Sequence, residues 1–163
     1  MAATVTGTLQ VTTSFQTINT VGPASASSRD AITHPESYTN GSGAGQVNKV
    51  YSASLTFTGT QSIDLSGSLV DALGNAVVFT KVKSVVIEVT TQSAGQYLLV
   101  GGDANAFADW LAAANNKVKI GPGGVLAITS PVDGFTVTAA TGDILKLDAG
   151  ANTLTVNIEI TGS

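Results

Sequence analysis

The chain has no cysteine. Disulfides, cysteine-based metal sites and thiol catalysis are therefore excluded, although the redox compartment is not fixed by this. Charge is nearly as scarce. Among 163 residues there are 7 basic and 11 acidic side chains, 11% in all, against about 25% in ordinary globular domains. Threonine, serine, asparagine and glutamine carry the polarity instead. A surface with so few charges suits a protein partly hidden in an assembly, because interface cores are depleted in charge. The only basic pairs are Lys81/Lys83 and Lys117/Lys119. Each has period 2, so each is expected to place two solvated or edge-strand lysines on one strand face. No basic stripe with interleaved aromatics exists, which disfavours nucleic acid. No apolar run approaches the 18 or more residues of a membrane span. Met1 to Gly7 lacks a basic segment followed by an apolar one, so no export signal is expected. Synthesis in a host cytoplasm, with release by lysis, fits that pattern.

What is present is short β-periodicity. Thr4 to Gln16 alternates, with Val5, Leu9 and Val11 on one face and threonines on the other. Val50 to Thr58 sets Tyr51, Ala53, Leu55 and Phe57 against serines and threonines. Thr153 to Thr161 sets Leu154, Val156, Ile158 and Ile160 against polar residues. Alternation of this kind marks half-buried strands. Val85-Val86-Ile87 is apolar on both faces and reads as a central strand within Val82 to Thr91. Further short strands are expected at Ser62–Leu65, Val77–Phe79, Gln96–Val100, Lys117–Ile120, Val125–Ser130, Phe135–Ala139 and Ile144–Leu147. Glycine, proline and aspartate separate them. Gly121-Pro-Gly-Gly reads as a turn with Gly123 or Gly124 at positive φ. Asp71-Ala-Leu-Gly-Asn reads as another turn. Asn105 to Asn116 supports two readings. Phe107, Trp110, Leu111 and Ala114 fall at helical spacing, and a loop carrying aromatics is the alternative. The expected fold is all-β, a jelly-roll-like β-sandwich with an extended N-terminal segment and at most one short helix. Residues 1–45 form an N-terminal strand and arm or linker, and 46–163 the sandwich. Asn19 to Gly45 is either a flexible linker or an arm that orders against neighbouring subunits. Its scattered Val21, Ile32 and Tyr38 favour the arm.

Chemistry is sparse. His34 is the only histidine. It has no second histidine for a zinc site and no nucleophile-elbow sequence for a triad, so an exposed loop histidine is expected. Asp133, Asp143 and Asp148 each adjoin glycine or a small-residue turn, where aspartate bonds its own backbone. Neither a catalytic nor a metal-ligating set is expected, and no cofactor. The single tryptophan, Trp110, reads as a core residue, an interface anchor or a sugar-stacking platform. The candidate interface residues are Phe107, Trp110, Leu111, Tyr38 and Ile32.

With the strands placed, a series of blocks emerges. These are Gly41-Ser-Gly-Ala-Gly-Gln-Val-Asn-Lys-Val-Tyr, the run from Ile63 to Lys83, Val100-Gly-Gly, Gly121-Pro-Gly-Gly-Val-Leu and Gly134-Phe-Thr-Val-Thr-Ala-Ala-Thr-Gly-Asp-Ile-Leu. In this order the blocks resemble a family of small tailed-bacteriophage virion structural proteins, over roughly Gly41 to Gly162. The resemblance implies a non-enzymatic virion role, with no catalytic residues to carry over. The expected form is a capsid decoration or cement protein on the capsid surface. It would be a homo-oligomer, trimeric by the family's habit, with the major capsid protein and its own copies as partners. A tail or fibre component, or a carbohydrate- or receptor-binding module, is the alternative.

Overall fold

The computed structural model describes residues 4–21, 24–67 and 69–163, with the backbone alone for 19–21 and 24–26. Twelve strands are formed, in chain order: β1 (Gly7–Val21), β2 (Ala24–Asn40), β3 (Gln46–Val47), β4 (Lys49–Asp64), β5 (Leu69–Val70), β6 (Ala76–Val77), β7 (Lys81–Val89), β8 (Leu98–Gly101), β9 (Lys117–Ile120), β10 (Val125–Thr129), β11 (Phe135–Thr136) and β12 (Ile144–Gly162). Among the described residues there is no helix. The chain is all-β, with curled sheets around one core, in keeping with a β-sandwich.

The frame is a long antiparallel ribbon of β4 and β12, in register from Ile144↔Asp64 to Gly162↔Lys49. Two of the strands expected from sequence are continuations of others. Ser62–Leu65 extends the strand begun at Val50, and Ile144–Leu147 continues into Thr153–Thr161. The ribbon bends in the middle. Four residues separate Asp148 from Thr153 on β12 where one separates Thr60 from Thr58 on β4, so β12 carries three extra residues. An odd insertion flips the alternation. Leu145, Leu147 and Ala149 therefore face the core before the bulge, and Leu154, Val156, Ile158 and Ile160 after it. Gly59 (φ +78°) and Gly150 (φ +58°) take the left-handed backbone at this bend.

On the other side of β12 the bend divides the neighbours. The first half pairs with β8, which pairs with β9. The second half pairs with β7, and β7 carries β10 and β11 on its far edge. β7 is thus paired along both edges, the central position expected for it. Ile63, Leu65, Phe79, Val85, Ile87, Leu98, Val100 and Phe107 meet the β12 residues in a single buried cluster. The outer face of the second half is polar. There Thr56 and Thr155 hydroxyls lie 3.0 Å apart, Thr58 and Thr153 hydroxyls 2.6 Å apart, and Asn157 Nδ2 donates to Glu88 at 2.9 Å.

A second bulge corrects the lysine reading. Ser84 faces Thr161 but Val82 faces Gly162, so Lys83 is the extra residue. It turns inward and is only 2% exposed, with Nζ donating to the Val132 carbonyl at 2.6 Å. Burial, with Lys81 nearby, pushes its pKa down. Lys117 and Lys119, by contrast, lie largely exposed on β9, which pairs only with β8 among the described residues. A Cβ on Gly162 would run into the Lys81 carbonyl and the Phe79 ring. Gly162→Ala is therefore expected to destabilise the fold by about 1–3 kcal/mol through overpacking. A lower urea midpoint at unchanged slope checks this.

Candidate functional site

The segment expected as linker or arm is an antiparallel hairpin. β1 and β2 are paired over fifteen positions, from Gly7↔Tyr38 to Val21↔Ala24. At about 3.4 Å per residue such a ribbon spans about 50 Å. Residues paired across an antiparallel ribbon share a face. One face carries Leu9, Val11, Phe15 and Ile32, together with His34, Glu36 and Asp30; the other carries mainly threonine, serine, glutamine and Arg29. Residues 11–18 and 27–35 are all exposed, and Phe15 and Ile32 are each 72% exposed. His34 stands on this strand rather than in a loop, with Nε2 2.7 Å from Glu36 Oε1, as period 2 dictates.

The root of the arm is fixed to the body. Val5 N donates to Asn40 Oδ1 at 3.0 Å, and β2 pairs with β3 at Thr39↔Gln46 and Asn40↔Val47. Gly45 N donates to the Pro131 carbonyl at 2.9 Å. Tyr38 is 5% exposed and lines a cavity of about 260 Å³ with Leu9, Val50, Ser84 and Thr161. Ser84 and Thr161 hydroxyls hold each other at 2.6 Å, and the Tyr38 hydroxyl has no protein partner among the described residues. Burial, with the Glu36 carboxylate second, pushes the Tyr38 phenol up. The root is thus a packed joint, and the exposed stripe lies beyond it.

The remaining candidates lie elsewhere. Asn105–Asn116 is a run of turns, held by a bond from Phe107 N to the Ile144 carbonyl at 2.9 Å. Phe107 is 1% exposed and meets Phe135 edge-on, with ring centroids 6.5 Å apart. Trp110 is half-buried against the core, and its Nε1 donates to the Phe107 carbonyl at 3.0 Å. Leu111 is half-buried beside it. Of the five candidate interface residues, Ile32 alone is largely exposed; Phe107 and Tyr38 are packed inside. Sequence reasoning did not single out Val11 and Phe15, although their period-2 spacing in a charge-free strand was visible.

The aspartates serve turns. Asp71 accepts from Asn75 Nδ2 at 3.0 Å and, on Oδ1, from Asn75 N and Leu73 N, each at 2.8 Å, and these bonds, the Asn75 side chain first, hold its pKa down. Asp148 accepts from Gly150 N at 2.9 Å at the ribbon bend. Asp143 is buried and accepts from Ser66 Oγ at 2.6 Å and Ala140 N at 2.7 Å, which keeps its pKa below the usual carboxylate range. Among the described residues no group of three His, Asp or Glu side chains converges as a metal site. The candidate site is the hairpin arm, which carries an exposed apolar stripe, Val11, Phe15 and Ile32, on an all-β body. No family model, curated protein or solved structure matches the chain.

Two predictions follow from these placements. Trp110→Ala removes a side chain packed on the core and should lower monomer stability by about 2–3 kcal/mol, read as a shift in urea midpoint. Asp143 has a depressed folded pKa, so its contribution is present above the unfolded value of about 3.9 and is lost as pH falls through the folded value. In Ser66→Ala the carboxyl loses its shortest bond. Stability at neutral pH should fall, and the further loss on acidification below about pH 4 should be smaller than in the native chain. An unchanged acid limb would show that Ser66 does not set this ionisation.

Proposed function

We propose that this chain is a non-enzymatic structural protein of a tailed-bacteriophage virion, a capsid decoration or cement protein that bridges neighbouring capsid subunits as an oligomer. The observation that carries the reading is the exposed hairpin arm. It joins the ordered series of blocks from Gly41 to Gly162 that resembles such proteins. The body would sit on the shell, and the arm would reach an adjoining subunit. A pre-paired hairpin loses less entropy on docking than a disordered tail, so more of each contact survives as affinity. Modest single contacts suffice, because an oligomer engaging several equivalent sites gains avidity. The sparse charge of the chain suits surfaces covered on assembly.

Fractionation of the source virions tests this. The chain should be abundant in heads, and heads stripped of it should rupture at lower temperature or weaker osmotic shock. Confinement to tails would reassign it to a tail or fibre component. Absence from both would end the virion reading and bring a soluble binding module forward. A shortened arm refines the test. Replacing Gln10–Pro35 with an Asn-Gly turn closes the hairpin on the Leu9/Glu36 pair and keeps the root intact. The body should fold with a native circular-dichroism spectrum and bind stripped heads at least tenfold more weakly.

A further inference from the structure

We propose that β1 of one copy pairs edge to edge with β4 of a second copy of this chain. The molecule has several open strand edges, and most are blunted. β9 carries Lys117 and Lys119, β10 is only five residues long, and β2 carries Pro35 with Arg29, Asp30 and Glu36. Charge, proline and shortness are the usual defences of an exposed edge. Two long edges lack all three. β1 runs fifteen residues without a charge or proline and pairs only with β2 among the described residues. β4 runs from Val50 to Ile63 without either, and pairs only with β12 among the described residues. Left open, both are templates for addition of a strand.

The side chains match as well as the edges do. Tyr51, Ala53, Leu55 and Phe57 line the inner face of β4 but stay half-buried, while their partners Leu154, Val156 and Ile160 across the ribbon are fully buried. The inner face of β4 therefore lacks a neighbour on its open side. Val11 and Phe15 lie on one face of β1 with Thr13 between them, are paired with His34 and Asp30 rather than with apolar residues, and stay exposed in the single chain. Pairing β1 with β4 covers both rows at once. Pairing β1 with β1 leaves β4 half-covered, and pairing β4 with β4 leaves the arm bare. A two-stranded ribbon alone is at best marginally stable in water, so a covered arm is also the stable one. Each copy has one donor edge and one acceptor edge. The contact is then made twice per copy, as a reciprocal two-fold exchange or a closed ring. This inference rests on the edges alone and stands whether or not the oligomer sits on a capsid.

The test uses the purified full-length chain, which has no native cysteine to interfere. Single-cysteine variants on the outer faces, Thr12→Cys, Ser14→Cys or Gln16→Cys in the arm and Ser52→Cys, Ser54→Cys or Thr56→Cys in β4, are mixed in pairs and oxidised. Arm-to-body dimers in at least one pairing, exceeding arm-to-arm and body-to-body dimers, are expected. Light scattering should give an oligomer for the native chain. Val11→Lys/Phe15→Lys, whose sites are exposed in the single chain, should give the mass of one chain with a native spectrum. Arm-to-arm dimers alone, body-to-body dimers alone, or a native chain that is monomeric at all concentrations would each overturn the proposal.

Discussion

The pairing of β4 with β12 is the constraint on which everything else hangs. It is the longest ladder in the body, and its partners lie from 80 (Ile144 and Asp64) to 113 (Gly162 and Lys49) residues apart in sequence. No local propensity secures so distant a pairing. It is held by the apolar row from Leu145 to Ile160, which must find cover on one face along its whole length. The bend lets one ribbon serve two sets of neighbours. Without the three extra residues between Asp148 and Thr153, the second half of β12 would present Thr155, Asn157 and Glu159 to the core. The bulge thus corrects the alternation and curls the sheet in one stroke, and Gly59 and Gly150 supply the backbone freedom for it.

Much of this was legible residue by residue. The alternations at Val50–Thr58 and Thr153–Thr161, the flanked position of β7 and the turns at Asp71–Asn75 and Gly121–Gly124 all follow from period and turn chemistry. Gly123 does take φ +67°, closing a bond from Gly124 N to the Gly121 carbonyl. The continuity of β12 was not legible, because a parity flip looks in sequence like a strand end; that of β4 was hidden by Gly59, which reads as a break although the odd residues from Tyr51 to Ile63 keep one face. Lys83 was misplaced for the same reason: a single bulged residue turned a period-2 surface lysine inward. At Phe107, Trp110 and Leu111 spacing left a helix and an aromatic-bearing loop both open, and the structure gives the loop. Helical periodicity needs one continuous backbone, but Ala112 sits at φ +64° and Phe107 N bonds across to Ile144. Two aromatic side chains turned to one core from successive turns imitate a helix face.

The arm shows how charge scarcity and architecture explain each other. A small β-protein must protect its edges, and charge is the commonest means. This chain places its few charges selectively. Arg29, Asp30 and Glu36 lie on β2, and the β9 edge carries two lysines, while β1 and most of β4 have none. Scarcity spread evenly would say little. Scarcity concentrated on two of the long edges separates strands defended against neighbours from strands left able to accept one.

The root gives that division its geometry. Tyr38, Val47 and the pairing of β2 with β3 anchor the hairpin beside Val50, the second residue of β4. The donor edge therefore leaves the body next to the start of the acceptor edge, yet its apolar side chains remain exposed beyond the root. A rigid joint holds that separation better than a slack tether. An arm on a slack tether could fold back on its own β4 and saturate it; an arm clamped by buried Tyr38 and the bond from Gly45 N to the Pro131 carbonyl is what the proposed pairing with a second copy would require. The packed root and the bare stripe are thus two parts of one device. The first fixes where the arm leaves the body, and the second supplies the apolar surface that awaits cover.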